Sequence, residues 1–485
     1  MYSVSVAQKL TKMDFLKRDG KNIVGENNSV VFGLSRLVAC TVSVTLFTPI
    51  AVVGGILSLP YKLLLAPKRT TPGFPPVERL VDLPATTERE FDVVVFGATG
   101  YTGQLVAKYL AKQYGNSKVK FALAGRRAQA LEQVKTECLA SNPQAEITVV
   151  SGVDSFNAKS LQEMTRRTKV VVSTVGPFQL YGTPLVVACI ATQTHYCDIT
   201  GEVDWYSELV EHYHDQARDA GVSICSFCGH DSVPWDLLTY KLAQKLLAGG
   251  ETLTTVHVED EILAGPSGGT VATILETIRA GLPAKSKLGF SPLLLGQDGR
   301  TKSTFTTKDI SPVLPRKASR GWNGPFVMSM VNAQVVARSN ALNEYGSKVE
   351  YSESRLARNF AVLMGRYLEL VAVGPALFLP HFLQQYLLPQ PGTGPSTEQL
   401  EQGFLQLTGT AMGSKGSKVQ ARLYFDHDMG YVGTARLLVE CGLCLAEGSN
   451  TQRRGVVTPA SCFPDQLLDR LLSKSNKGTE FAYLQ

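Results

Sequence analysis

The chain has 485 residues, too many for one hydrophobic core, because single cores stop growing near about 250–300 residues. Its 44% hydrophobic and 19% charged content fits a globular α/β protein and excludes a chain dominated by disorder. A net charge of +6, from 48 basic and 42 acidic residues, is too mild and dispersed for a nucleic-acid binder and licenses only a modest preference for anionic surfaces or phosphates.

Residues 1–29 are polar and mixed in charge, too long and too polar to serve as the basic leader of a secretory signal. Residues 30–69 read as a hydrophobic membrane or lipid-droplet anchor, with a buried core helix as the alternative. Within them, residues 37–61 carry no charge, with Arg36 before and Lys62, Lys68 and Arg69 after. As one helix this run would cross a hydrocarbon core of about 30 Å. Pro49 divides it into halves of roughly 18 Å, long enough to dip in and return, and the basic flanks on both sides give no orientation. A kinked span and a re-entrant hairpin both remain open. Residues 70–90, with Pro72, Pro75, Pro76 and Pro84, form a Pro-rich linker that cannot stay helical.

The stretch 91–103, FDVVVFGATGYTG, opens the catalytic part. A buried-type strand turns into Gly97, Gly100 and Gly103, and a helical pattern follows. Glycine supplies the turn, lets a pyrophosphate approach the backbone and lets the helix approach the sheet, while the helix N-terminus faces the phosphates. We therefore assign Gly97, Ala98, Thr99, Gly100, Tyr101, Thr102 and Gly103 to dinucleotide binding. The next strand, within 118–127, ends in Arg126 and Arg127, where an NAD-binding domain would carry an acid for the ribose hydroxyl. Arginine holds a 2′-phosphate by bidentate bonds, so the cofactor expected is NADP(H) rather than NAD(H).

The βα rhythm continues through 147–151 and 169–174, which predicts a doubly wound parallel sheet over residues 91–250. Val175, Gly176, Pro177 and Phe178 break the fourth strand at its carboxyl end, the edge where ligands bind in such sheets, and Phe178 and Tyr181 are expected to flank a nicotinamide. The fifth unit, 194–205, brings His195 and Asp198. The sixth strand leads to His230, with Asp231 or Ser232 as cap of a helix near Val233. Tyr181, His195, Asp198 and His230 are the candidate proton donors. Structural roles explain the two histidines and the capping residues as well as catalysis does. A Tyr-x-x-x-Lys pair of the short-chain type occurs only at Tyr114 and Lys118, between the first helix and the second strand, where it cannot serve.

Beyond residue 250, alternating segments at 254–263, 303–310 and 418–425 predict a second α+β domain over 251–430 with a mixed or antiparallel sheet, and 431–485 is expected to pack back on the first domain. The apolar, proline-interrupted stretch 367–388 reads as pocket lining or as membrane contact. Nine scattered cysteines indicate a reducing compartment. The pairs Cys225/Cys228 and Cys441/Cys444 read as buried thiols, with zinc the lesser alternative if the fold joins them, and no metal is assigned.

Several motifs follow one another in a fixed order: GATGYTG (97–103), AGR (124–126), VGPF (175–178), HYCDITGE (195–202), HDSVPWDL (230–237), GPSGGT (265–270), PGTGPS (391–396), GTAR (433–436) and GVVTPA (455–460). Together they resemble the saccharopine dehydrogenase-like oxidoreductases, to which the bacterial trans-acting enoyl reductases are also similar. Two departures stand out. The family usually has a phenylalanine at the place of His230, and an Asp-Pro-Gly-Tyr run where this chain has Asp428, Met429, Gly430 and Tyr431. No compact set of arginines and acids suited to saccharopine is visible, so the family name does not supply the substrate. The resemblance implies an oxidoreductase; with Arg126 and Arg127 and the apolar run at 30–69, the reading is an NADP(H)-dependent reductase of a small apolar or lipid-derived carbonyl, imine or enoyl group at a membrane or lipid-droplet surface. A homodimer is compatible with it, and nucleic acid is not an expected partner. A non-catalytic NADP(H)-binding sensor or scaffold, and saccharopine dehydrogenase itself, are the alternatives.

Overall fold

A computed structural model of the protein describes residues 73–78, 88–263, 292–296, 303–307, 311, 314–326, 328–365, 367, 403–449, 452–473 and 478–484. The anchor expected at 30–69, the GPSGGT and PGTGPS motifs and all but one residue of 367–388 lie outside the described residues.

Six strands alternate with helices: β1 (Phe91–Phe96), α1 (Tyr101–Tyr114), β2 (Phe121–Ala124), α2 (Ala128–Ser141), β3 (Ile147–Val150), α3 (Ala158–Thr165), β4 (Thr168–Ser173), α4 (Phe178–Ala191), β5 (His195–Asp198), α5 (Val203–Asp219) and β6 (Ser223–Cys225), followed by α6 (Val233–Ala248). The second sheet contains β7 (Leu253–Leu263), β8 (Thr304–Thr306), β9 (Arg316–Ala318) and β10 (Gly321–Gly324). Helix α7 (Ser329–Asn343) precedes β11 (Lys348–Ala357), and β12 (Phe404–Gly413) and β13 (Lys418–Phe425) follow. A π-turn, Met429–Gly433, leads into α8 (Thr434–Glu447), then β14 (Gly455–Val457), α9 (Pro459–Cys462), α10 (Pro464–Leu472) and β15 (Thr479–Leu484).

The first sheet has the order β14-β6-β5-β4-β1-β2-β3, all pairs parallel. Its strands are near-continuous apolar runs because helices cover both faces. Val93 and Val95 enter one core with α1, α2, α6 and α8, whereas Val94 and Phe96 enter the other with α3, α4 and α5. The π-turn and α8 together form the described run, Met429–Glu447, that is long and apolar enough to cross a membrane, yet most of it is buried within the protein. It lies on β1, β4 and β5, and Gly442 permits the contact, since a Cβ there would come 2.7 Å from Val172 Cγ2.

The second sheet is mixed, in the order β15-β13-β12-β7-β11-β10-β9 with β8 beside β11. β7 and β8 run parallel to β11 and the other pairs are antiparallel. Helix α6 packs on β12, β13 and β7, so the helix that leaves β6 is also the floor of the second sheet. The last segment divides between the two: β14 extends the parallel sheet beside β6, and β15 extends the mixed sheet beside β13. Residues 73–78 of the Pro-rich stretch have no regular secondary structure and pack on α5, where Phe74 stacks on His212 at 4.6 Å and Tyr213 Oη donates to Pro75 O at 2.8 Å.

Candidate active site

The carboxyl ends of β2, β1, β4 and β5 are level, with Ala124, Phe96, Ser173 and Asp198 paired in register. The glycine turn rises from this edge. Gly97 has a φ of +91°, left-handed backbone that favours glycine, and a Cβ there would come 2.6 Å from Val175 Cγ2. A Cβ at Gly103 would overlap the Gly97 carbonyl oxygen and lie 2.9 Å from Ala98 Cα. Gly100 differs: it is exposed, and its Cβ would meet only Gly97 O, at 3.4 Å. Two glycines thus serve the fold and the third opens outward, at the N-cap of α1, whose first N–H groups have no partner within the helix. That cradle fits the pyrophosphate of a dinucleotide. Ala98 is buried beneath it, and Thr174 Oγ1 braces it by donating to Gly97 O at 3.2 Å.

Arg126 and Arg127 follow β2 on the same edge, both exposed, and among the described residues neither is paired with a carboxylate. Val175 abuts the cradle, whereas Phe178 departs from the sequence expectation. It is 5% exposed and stacks on Trp205 at 5.8 Å, so it faces the core rather than a nicotinamide. Helix α4 starts there because Glu202 accepts the N–H groups of Phe178 and Gln179 at 2.8 and 2.7 Å. The acid of the HYCDITGE motif therefore ties the loop after β5 to the helix after β4.

The four candidate donors do not form one constellation. His195 opens β5, so it lies at the amino edge, opposite the cradle, and this placement corrects the sequence expectation. Its Nδ1 accepts from Ser223 N–H at 3.0 Å, and burial, with Arg454 and Arg89 nearby, pushes its pKa down to about 3. Tyr181 packs on the α4 side against Phe156 at 5.5 Å. Asp198 closes β5 at the right edge but is fully buried. It accepts from Thr200 N–H and from Ser226 Oγ, each at 3.0 Å, and burial pushes its pKa up to about 7.

His230 stands between the carboxyl end of β6 and the start of α6, against the first residue of α8. Its backbone N–H donates to Thr434 Oγ1 at 3.1 Å, its Nδ1 lies 3.1 Å from Asp231 Oδ1, and its Nε2 is buried with no hydrogen-bond partner. Asp231 therefore pairs with the histidine, and Ser232, although at the N-cap of α6, makes no side-chain cap bond. From His230 a line of rings runs toward the second sheet: Trp235 at 5.5 Å, then Phe326 at 5.3 Å from Trp235, with Arg355 over the Phe326 ring at 4.3 Å and bound to Asp260 at 2.9 Å.

The sequence marks the Asp-Met-Gly-Tyr run only as a departure from the family pattern, with no sign of its place at the cradle. Asp428 accepts from Tyr431 N–H at 2.7 Å and from Val432 N–H at 3.3 Å, and the Tyr431 ring meets Tyr101 of the cradle edge-on at 5.2 Å. This turn therefore roofs the start of α1. The fold also brings the two C-x-x-C pairs into contact. Cys228 Sγ lies 3.6 Å from Cys225 Sγ and beside Cys197 and Cys441. Burial pushes the Cys228 thiol up to about 12 and Cys441 to about 11. Among the described residues no group of three or more His, Cys, Asp or Glu could hold a metal ion.

Residues 93–225 match the family model of the saccharopine dehydrogenase NADP binding domain. A putative trans-acting enoyl reductase of Mycobacterium tuberculosis (strain ATCC 25618 / H37Rv) is 37% identical over 416 residues, covering 79% of this chain and 96% of that protein. The trans-acting enoyl reductase of Mycobacterium ulcerans (strain Agy99) is 33% identical over 414 residues, covering 80% and 97%. Among solved structures, saccharopine dehydrogenase (L-Glu forming) from Saccharomyces cerevisiae matches with a TM-score of 0.47 and 10% identity, over 81% of this chain and 100% of that one. With a glycine cradle on a sheet of this order, and relatives alike over nearly their whole length, the chain belongs to the saccharopine dehydrogenase-like oxidoreductase family that includes the trans-acting enoyl reductases.

Proposed function

We propose that this protein is an NADP(H)-dependent reductase of an apolar, lipid-derived enoyl, carbonyl or imine group, working at a membrane or lipid-droplet surface with its catalytic part in a reducing compartment. The observation that carries this reading is the His230–Asp231 pair, 3.1 Å apart, at the edge where the glycine cradle opens. When bound, the dinucleotide supplies hydride. The outward Gly100 and the N-terminus of α1 receive its pyrophosphate, and Arg126 and Arg127 hold a 2′-phosphate in preference to a bare ribose. With both ring nitrogens protonated, His230 donates Nδ1–H to Asp231, whose carboxylate stabilises the imidazolium, and its Nε2–H is the proton that accompanies the hydride. The ring line from Trp235 to Phe326 supplies an apolar, water-excluding wall beside that atom. The relatives' name as enoyl reductases favours the enoyl group within this range.

The test is NADPH oxidation by the full chain with enoyl thioesters, lipid aldehydes and ketones, and saccharopine, repeated with His230→Phe. Turnover of an enoyl or lipid carbonyl is expected, falling by roughly 10²–10⁴-fold in the variant with NADPH affinity intact. Equal turnover in the variant would remove the proton role from His230. Tight NADPH binding with no turnover across the whole panel would instead mark a sensor.

A further inference from the structure

The amino edge of the parallel sheet, opposite the cradle, carries a cavity of about 390 Å³ lined by Lys169, Gln193, His195, Glu447 and Arg454 among others. Its donors are arranged in an uncommon way. Ser223 N–H donates to His195 Nδ1, so in the neutral ring the proton sits on Nε2. Arg454 Nη1 stands 3.3 Å from that Nε2 and can only donate. Two N–H groups therefore converge without being able to bond each other. Arg454 Nη1 also donates to Ser223 Oγ at 3.2 Å, but among the described residues no carboxylate pairs with its guanidinium. The other charges on the cavity wall are already matched. Lys169 Nζ lies 2.7 Å from Asp92 Oδ1, and Glu447 Oε1 lies 2.6 Å from Arg470 Nη1.

The lining also includes the last turn of α8, Leu445 to Glu447, where a helix carries its partial negative charge. A dianion would meet that charge, whereas a single carboxylate can lie in the guanidinium fork and accept the His195 Nε2–H as well. We propose that this cavity is a second ligand site, which takes a small monocarboxylate between Arg454 and His195. It stands one strand away from the cofactor edge, since His195 opens β5 and Asp198, about 10 Å further on, closes it.

Acetate and inorganic phosphate, titrated separately at constant ionic strength into the full chain holding NADPH, test the site by calorimetry and by thermal unfolding. Saturable acetate binding is expected, weakened roughly tenfold or more by Arg454→Gln through loss of a charge-assisted bond, with NADPH affinity unchanged. Gln193 is exposed at the rim, so Gln193→Glu sets a like charge beside the ligand without disturbing the interior. It should weaken acetate in the same direction and serves if Arg454→Gln does not fold. A non-saturable response to acetate, or equal affinity in wild type and both variants, would overturn the site. Phosphate binding tighter than acetate would overturn the monocarboxylate assignment.

Discussion

Alanine at Gly100 and alanine at Gly103 should have different consequences, and the difference tests whether the turn is a cofactor cradle or only a tight turn. Gly100 has φ −74° and ψ 164°, a conformation alanine adopts freely, and its Cβ would meet nothing nearer than Gly97 O at 3.4 Å. Losing an N-cap glycine costs up to about 1 kcal/mol. Reduced freedom of the unfolded chain returns about 0.4–1 kcal/mol. Apo stability should therefore change by less than about 1 kcal/mol. The new methyl nevertheless stands on the open side of the turn, so NADPH should bind roughly 10–100-fold more weakly, about 1.4–2.8 kcal/mol. Gly103→Ala instead drives a Cβ into the Gly97 carbonyl and toward Ala98 Cα, an overpacking of about 1–3 kcal/mol that must shift the loop. At about 2–4 °C per kcal/mol, its apo Tm should fall by several degrees, with binding lost as well. Thermal unfolding of the apo variants and fluorescence titration with NADPH read both effects. Unchanged NADPH affinity in Gly100→Ala, or a loss of stability equal to that of Gly103→Ala, would refute the assignment of an outward-facing cradle.

Replacing Arg126 and Arg127 by glutamate should weaken NADPH by roughly 10²-fold or more and leave NADH nearly unaffected, since each charge-assisted bond is worth about 1.5–3 kcal/mol. An unchanged NADPH/NADH ratio in paired titrations would remove them from the 2′-phosphate site. Asp198 has a folded pKa of about 7, above the unfolded value of about 3.9, so its contribution to stability is present below about pH 4 and is lost as the pH rises toward 7. The urea stability of wild type minus that of Asp198→Asn should accordingly fall between pH 4 and 7, and a difference independent of pH would contradict the burial of that carboxyl. Glu202→Ala removes both acceptors from the first turn of α4 and should cost about 1–2 kcal/mol in chemical denaturation, whereas a neutral result would deny it the capping role.

The cofactor side of this protein was legible in the sequence because it is contiguous. Val93 to Phe96 face two cores in alternation, which forces an unbroken apolar run, and the glycines that must follow such a strand at a phosphate site stand beside it. The His195 expectation failed over strand direction. The first residue of a parallel strand lies at the amino edge whatever the chemistry of its neighbours, and only Asp198, three residues on, reaches the edge where ligands bind. Phe178 failed for a similar reason: as the first residue of a helix anchored by Glu202, it turns inward onto Trp205. What no local pattern could reveal is the wall facing the cradle. His230 meets Thr434, Tyr101 meets Tyr431 and Cys228 meets Cys441 only because α8 returns across the parallel sheet after the whole mixed sheet has been built. Each of those residues is locally ordinary, a turn histidine, a helix-start threonine, a loop tyrosine, and becomes part of a site through packing between segments some 200 to 330 positions apart. On the function proposed above, a centre assembled in that way separates nucleotide binding, written into one loop, from the groups that face the substrate, drawn from segments far apart in the chain. A change at position 230 can then remove the proposed proton donor while the cradle stays as it is.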